Sequence, residues 1–360
     1  MDVVATFRVE YTQFLNPQGD ATQSLPEFAR DPAALLPLYR AMVRTRLFDA
    51  KAITLQRTGK LGTFASSLGQ EAIGVGVASA IREEDVLLPY YRDHAAQFLR
   101  GVTIVECLLY WGGDERGSDF AGPRHDFAWC VPIATQTLHA AGAAMAFKMR
   151  AEPRCALAYI GDGGTSEGAF YEALNMAGAR ALPVVFVIVN NGWAISVPTA
   201  EQTAAQTLAQ KAVAAGIRGI QVDGNDVIAV RHVVGTALEA ARSGGGPCVI
   251  EALTYRLSDH TTADDASRYR SETEVKHAWG LEPLLRMRAF LAKAGIWDAD
   301  KEQALLRDCA AQVEAAVGEY LGTPKQSTDA MFDFLFAAVP KHLQEQRETA
   351  RRYGAKPGSH

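Results

Sequence analysis

Apolar positions along the chain follow two rhythms. Residues 33–58 place Leu35, Leu38, Met42, Leu47, Ala50 and Ile53 at the three- and four-residue spacing of a helix, and Gly59 behind them suits a C-cap. Small-residue helices are predicted over 70–81, where Gly74 and Gly76 permit close packing, and over the Ala-rich 136–150. Residues 86–88 read as a short strand that delivers Tyr90-Tyr91-Arg92 to its end. The clearest unit lies mid-chain. An apolar run at 155–160 is followed by Gly161-Asp162-Gly163-Gly164, and a helix is predicted over 165–181 on Phe170, Leu174 and Ala177. Pro183 closes a turn, and 184–189 is an unbroken β-branched and aromatic run, as in a strand buried on both faces. Further strands are predicted at 217–222 and 248–254, separated by a helix over 227–242 and a turn at 243–247. A Gly- and Asp-rich loop occupies 112–127, and a long charged loop occupies 256–270. Helical segments follow over 273–293, 299–319 and 329–349.

Strands that alternate with helices in this way predict an α/β fold, a doubly wound and mainly parallel sheet with helices on both faces. Residues 1–31, with Pro17, Gly19 and Pro26, read as an arm. The α/β domain is expected over 32–325 and a C-terminal helical extension over 326–360.

Composition narrows the class. With 48% apolar residues the chain supports a real core, and a net charge of −5 gives no reason to expect nucleic acid. Cysteines 107, 130, 155, 248 and 309 are odd in number and scattered, which suits free thiols in a reducing compartment. The opening residues lack the pattern of a signal or transit peptide, and the apolar runs are shorter than the ~18 residues of a membrane span. A cytoplasmic protein is the expectation.

The mid-chain unit also carries candidate chemistry. A helix rising about 1.5 Å per residue, followed by a strand at about 3.3 Å per residue, returns the chain to the sheet end it left. A right-handed crossover then sets the Asp162 loop beside the loop at Asn190-Asn191, at the carboxyl ends of parallel strands, where open α/β sheets bind ligands. Gly163 and Gly164 let backbone N–H groups approach a phosphate at a helix start. Asp162 and Asn191 offer hard oxygen atoms to a magnesium ion that bridges to phosphate. Taken singly, Asp162 reads as a helix cap and the Asn pair as a turn. Their pairing across one strand–helix–strand unit, 29 residues apart, points to a diphosphate with magnesium. No Gly-Lys-Ser/Thr follows, so this is not a Walker loop, and the glycines do not fit a dinucleotide fingerprint.

Gly-Asp-Gly, a helix, a strand and then Asn-Asn resembles the thiamine-diphosphate motif of transketolase-like enzymes. The whole chain resembles the alpha subunit of the decarboxylating component of 2-oxo acid dehydrogenase complexes. The resemblance rests on Gly69-Gln70-Glu71-Ala72, Tyr91-Arg92-Asp93-His94, Pro132-Ile133-Ala134-Thr135-Gln136, Asn190-Asn191-Gly192-Trp193-Ala194-Ile195-Ser196, Val222-Asp223-Gly224-Asn225-Asp226, and Thr254-Tyr255-Arg256 through His260 to Tyr269-Arg270. It implies that Tyr91 and Arg92 hold the diphosphate and that the backbones of Val131 and Ile133 meet the aminopyrimidine. The Ile133 side chain would wedge the cofactor into its bent form. The resemblance also implies that the Trp193 carbonyl joins Asp162 and Asn191 around magnesium. His260 would border the active channel as a catalytic residue and touch the diphosphate, on a loop that orders when cofactor binds. Thr261 stands where some relatives carry a regulatory phosphoserine, a control not expected here. His139 is assigned no role.

The implied activity is oxidative decarboxylation of a 2-oxo acid, with the acyl fragment passed to a lipoyl group on a dihydrolipoyl acyltransferase core. The carboxylate at the aminopyrimidine comes, in this family, from a separate beta subunit, so an α2β2 heterotetramer is expected. Pyruvate is the preferred substrate, with branched-chain 2-oxo acids as the alternative and acetoin a third. A non-catalytic scaffold subunit is the alternative of another class. No membrane partner is expected.

Overall fold

The computed structural model describes residues 1–354 and contains two compact units, Met1–Val317 and the residues from Gly318 onward. The first unit is built on six strands: β1 (Glu10–Thr12), β2 (Val86–Leu88), β3 (Ala156–Gly161), β4 (Val184–Asn190), β7 (Arg218–Asp223) and β8 (Cys248–Leu253). A small antiparallel ribbon, β5 (Trp193–Ala194) with β6 (Val197–Pro198), stands apart from them. The sheet order is β1-β7-β8-β4-β3-β2, and every pairing in it is parallel.

Side-chain alternation along β3 and β4 builds a core on each face. Leu157, Tyr159, Val185, Val187 and Val189 point into one, with the helices Leu36–Arg57, Glu71–Ala78 and Val227–Ala240. Ala156, Ala158, Ile160, Val184, Phe186 and Ile188 point into the other, with the helices Thr135–Met149 and Gly168–Ala179. Full burial of each large side chain stabilises by about 1.5–3 kcal/mol, so strands apolar on both faces settle only in the middle of such a sandwich. The doubly wound parallel architecture is therefore the observed one.

Several boundaries shift. The expected 165–181 helix starts later, because Gly163–Ser166 forms a tight 3-10 turn and Glu167 is extended (φ −75°, ψ 143°) before the helix Gly168–Ala179. The segment 273–293 splits into Glu272–Trp279 and Pro283–Lys293, since Pro283 begins a helix far more readily than it sits inside one. The segment 329–349 becomes Ala330–Asp333 and Lys341–Tyr353, with Pro340 at the N-cap of the second helix. Within the second unit, Asp329 pairs with Arg347 (3.0 Å) and Arg351 (2.7 Å).

The N-terminal residues read as an arm contribute β1, the sheet's edge strand. Asp226 secures it. Its carboxylate accepts from Phe14 N and Leu15 N (2.7 Å each) while capping the helix Val227–Ala240 through Ile228 N (3.0 Å) and Ala229 N (3.2 Å).

Candidate functional site

The parallel register carries the two motif loops to one place. Gly161, the last residue of β3, lies opposite Val189 of β4, and Asn190 lies opposite Leu253 of β8. Asp162, Asn191 and Thr254 therefore leave the sheet side by side at its carboxyl edge. The loops also touch. A Cβ built on Gly163 would lie 2.5 Å from the Cβ of Ala194, and one on Gly164 would lie 2.7 Å from Ile160 and 3.2 Å from Ile133. Only glycine allows this approach, and it brings Ile133 against the Gly163-Gly164 turn.

Asp162 is buried and makes no side-chain capping bond to the turn that follows. Its Oδ2 instead accepts from Gln202 Nε2 (2.9 Å) and Thr199 Oγ1 (3.2 Å), and that hydroxyl also reaches Asn190 Oδ1 at 3.4 Å. Burial pushes the carboxyl above its ordinary range, while the bonds from Gln202 and Thr199 pull the other way. Among the described residues Asp162 has no ion-pair partner. Asn191 is buried, and its Oδ1 accepts from Trp193 N at 3.1 Å, so the Asn pair does form a turn. Among the described residues no three His, Cys, Asp or Glu side chains gather as a metal cluster. The ligand set expected here uses one carboxylate, one amide and one carbonyl.

Across Trp193, whose N–H bonds Asn191 and whose carbonyl meets Arg256, the charge reverses. Arg92, Arg256 and Arg270 are all buried, Arg256 completely. Arg256 donates to Trp193 O (3.2 Å), Ile195 O (2.8 Å) and Tyr269 Oη (2.8 Å). Arg92 donates to Ser66 O and to His260 O (3.0 Å), and it stands 3.2 Å from His260 Nδ1. Arg270 donates to Arg256 O and Ser258 O (2.8 Å). These partners are neutral oxygens and the neutral His260 ring nitrogen, and none of the three guanidiniums forms an ion pair among the described residues. The Nε–H groups of Arg256 and Arg270 are buried without an acceptor. Buried charges normally have a counter-ion, because desolvating them is costly.

His260 sits in this cluster, with Arg256 at 3.3 Å from Nδ1 and the Tyr91 ring edge-on at 6.3 Å. Burial first, then Arg92 and Arg256, push its pKa down to about 4, so the ring is neutral at pH 7 and accepts from a guanidinium through Nδ1. Tyr91 also lies beneath Arg92, 5.3 Å from the guanidinium to the ring centre.

Comparison with known proteins agrees with this geometry. Residues 39–328 match the family model described as "Dehydrogenase E1 component". A Staphylococcus aureus (strain Mu50) protein named pyruvate dehydrogenase E1 component subunit alpha is 39% identical over 344 residues, covering 95% of this chain and 92% of its own. A Staphylococcus epidermidis protein of the same name is 38% identical over the same extent. The chain belongs to the dehydrogenase E1 component family. That is the thiamine-diphosphate-dependent family its ordered motifs resemble.

In this E1 chain the structure adds residues that the motifs did not single out as contacts, above all Arg256 and Arg270. A signal was present, since Tyr-Arg recurs as Tyr91-Arg92, Tyr255-Arg256 and Tyr269-Arg270, three pairs that the fold gathers. The dipeptide alone is a poor guide, because Arg40 of Tyr39-Arg40 is exposed and pairs with Asp308. Val131 and Ile133 sit at the surface, about half exposed (51% and 49%). His94 is a core residue. It stacks on Phe64 (5.1 Å between ring centres) and accepts from Trp111 Nε1 at 3.1 Å. His139 is exposed against Phe127, and His125 is exposed.

Proposed function

We propose that this chain is the alpha subunit of a thiamine-diphosphate- and magnesium-dependent 2-oxo acid dehydrogenase, acting on pyruvate and passing the acetyl group to a lipoyl domain. The observation that carries the reading is complementary charge at the strand tips. A buried carboxylate without a cation lies beside three buried guanidiniums without an anion. A magnesium diphosphate supplies both missing charges, so the donor set fits the group.

Asp162, Asn191 and the Trp193 carbonyl would hold the metal, and Arg92, Arg256, Arg270 and His260 would face the diphosphate oxygens. Gly163 and Gly164 give backbone access, with Tyr91 and Ile133 as flanking contacts. When bound, thiamine diphosphate supplies the electron sink for decarboxylation. This chain's own residues bind and orient. His260, neutral in the free protein, can donate or accept a proton at its ring nitrogens next to the diphosphate.

The pyrimidine side is open. Val131, Ile133, Ile195 and Val197 are all exposed apolar residues near the site, which supports a covering beta subunit that brings the missing carboxylate, in an α2β2 assembly. A lipoyl-bearing acyltransferase core is the onward partner. The names of the similar proteins favour pyruvate over branched-chain 2-oxo acids. The test compares the chain alone with the chain assembled with a beta subunit, using pyruvate and 2-oxoisovalerate. Turnover is expected only in the assembly and faster with pyruvate. Preference for 2-oxoisovalerate refutes the substrate, and turnover by the chain alone refutes the missing carboxylate.

A further inference from the structure

Behind the strand tips lie one buried ammonium and one buried carboxylate that the expected ligand set leaves unused. Lys211 donates from Nζ to Thr165 O (2.8 Å) and Thr165 Oγ1 (2.9 Å), and the same hydroxyl donates to Asp162 O at 2.7 Å. The ammonium thus grips the turn Gly163–Ser166 at the point that sets the direction of Asp162. Its remaining face lies 5.4 Å from the centre of the Tyr171 ring.

Glu251, in the middle of β8, accepts from Asn190 Nδ2 through Oε1 (2.7 Å). That bond fixes which way the Asn190 amide faces. Its oxygen is left to receive Gly192 N (3.1 Å) and to meet the Thr199 hydroxyl that bonds Asp162. Through Oε2, Glu251 accepts from Gln221 Nε2 (3.1 Å) and from Ala209 N (3.0 Å), the first residue of the 3-10 helix Ala209–Ala215 that carries Lys211. The two side chains are therefore linked through one short helix. Glu251 anchors it and shapes the Asn190-Asn191 loop, while Lys211 reaches from it to the Asp162 loop.

We propose that Lys211 and Glu251 are positioning residues, a buried pair that sets the separation and orientation of the two loops expected to carry magnesium. A preformed ligand geometry needs this support because magnesium demands near-octahedral oxygens and tolerates little displacement. The inference rests on the magnesium-diphosphate reading of the site. It goes further in assigning the metal's affinity partly to two side chains that touch neither metal nor cofactor.

The test uses the chain assembled with its beta subunit. Calorimetric titration with magnesium and thiamine diphosphate, without substrate, gives metal affinity apart from turnover. Lys211→Met keeps the side-chain length and loses the ammonium; Glu251→Gln keeps the shape and sets a donor against Ala209 N–H or against the Asn190 amide. Each is expected to weaken magnesium binding roughly 10- to 100-fold, the range for lost outer contacts at metal sites, with KM for magnesium rising more than kcat falls. Thr165→Val, which removes one of the two Lys211 bonds and the bond to Asp162 O, should weaken magnesium binding in the same direction as Lys211→Met, and Thr165→Ser should keep wild-type affinity, which decides the matter even where Lys211→Met does not fold. Folded variants with wild-type magnesium affinity, or equal behaviour of Thr165→Val and Thr165→Ser, overturn the inference. A wild-type assembly that binds no magnesium thiamine diphosphate overturns the thiamine reading itself.

Discussion

His260 should take up a proton when a diphosphate enters the site. In the free protein burial, Arg92 and Arg256 hold its pKa down to about 4, so at pH 6 only about one ring in a hundred is charged. An added negative charge about 4 Å away, at an effective dielectric of about 20, favours the imidazolium by about 4 kcal/mol, or about 3 pH units. The bound pKa then lies near 7. The histidine accounts for about 0.9 proton taken up per site at pH 6, falling to about 0.1 at pH 8. Calorimetric titration of the assembled enzyme with magnesium thiamine diphosphate, in two buffers of different protonation enthalpy, measures the uptake at each pH. The cofactor's own protons contribute equally in His260→Gln, so the difference between the two proteins isolates the ring. Equal uptake in both, or a net release attributable to the wild-type ring, would refute the electrostatic account and remove His260 from contact with the diphosphate.

Three further outcomes follow from the same geometry. Arg256→Met deletes a fully buried guanidinium; losing one charge-assisted bond worth about 1.5–3 kcal/mol should raise the Kd for magnesium thiamine diphosphate about 10- to 150-fold, and an unchanged titration excludes Arg256 from the phosphate cradle. Ile133→Ala, which removes a side chain packed against the Gly163-Gly164 turn, should weaken cofactor binding or slow turnover; a variant equal to wild type in both measurements ends its role as a wedge. His94 is buried, and burial lowers its pKa to about 3, below the unfolded value of about 6.5. The native state then binds fewer protons, so this contribution is complete above about pH 6.5. It is lost as pH falls toward 3, at up to about 1.4 kcal/mol per pH unit. His94→Phe should flatten the dependence of the denaturation midpoint on pH within that window, and an unchanged slope would show that the ring does not titrate on unfolding.

The central unit was legible because β3 and β4 are apolar on both faces, a pattern few other arrangements satisfy, and parallel pairing then fixes where Asp162 and Asn191 emerge. β1 was not legible. Its three residues, Glu10, Tyr11 and Thr12, show no alternation, and their place at the edge depends on backbone bonds from the next residues to Asp226, more than 200 positions away. The helix start after Asp162 was misjudged for a similar reason. Thr165 looks like a first-turn residue, yet Lys211 and the Asp162 carbonyl hold its hydroxyl inside a separate turn. Arg256 and Arg270 read only as members of a long charged loop. Only tertiary folding reveals that they are buried.

That burial also explains why the loop over 256–270 is well suited to respond to a ligand. The loop contains its own acids, but they are committed to backbone and hydroxyl groups. Asp259 accepts from Ala266 N (2.9 Å), and Asp264 accepts from His260 N (2.8 Å) and the Tyr269 hydroxyl. The guanidiniums of Arg256 and Arg270 are left with carbonyl and hydroxyl oxygens, partners that satisfy hydrogen bonds without neutralising charge. Holding Arg92 and Arg256 around a neutral His260 is therefore electrostatically unfavourable in the free protein. An anion placed among them removes repulsion between the two arginines and permits the histidine to carry charge. The expected coupling between loop order and occupancy therefore has a source in charge, since a bound anion would lower the free energy of the ordered loop.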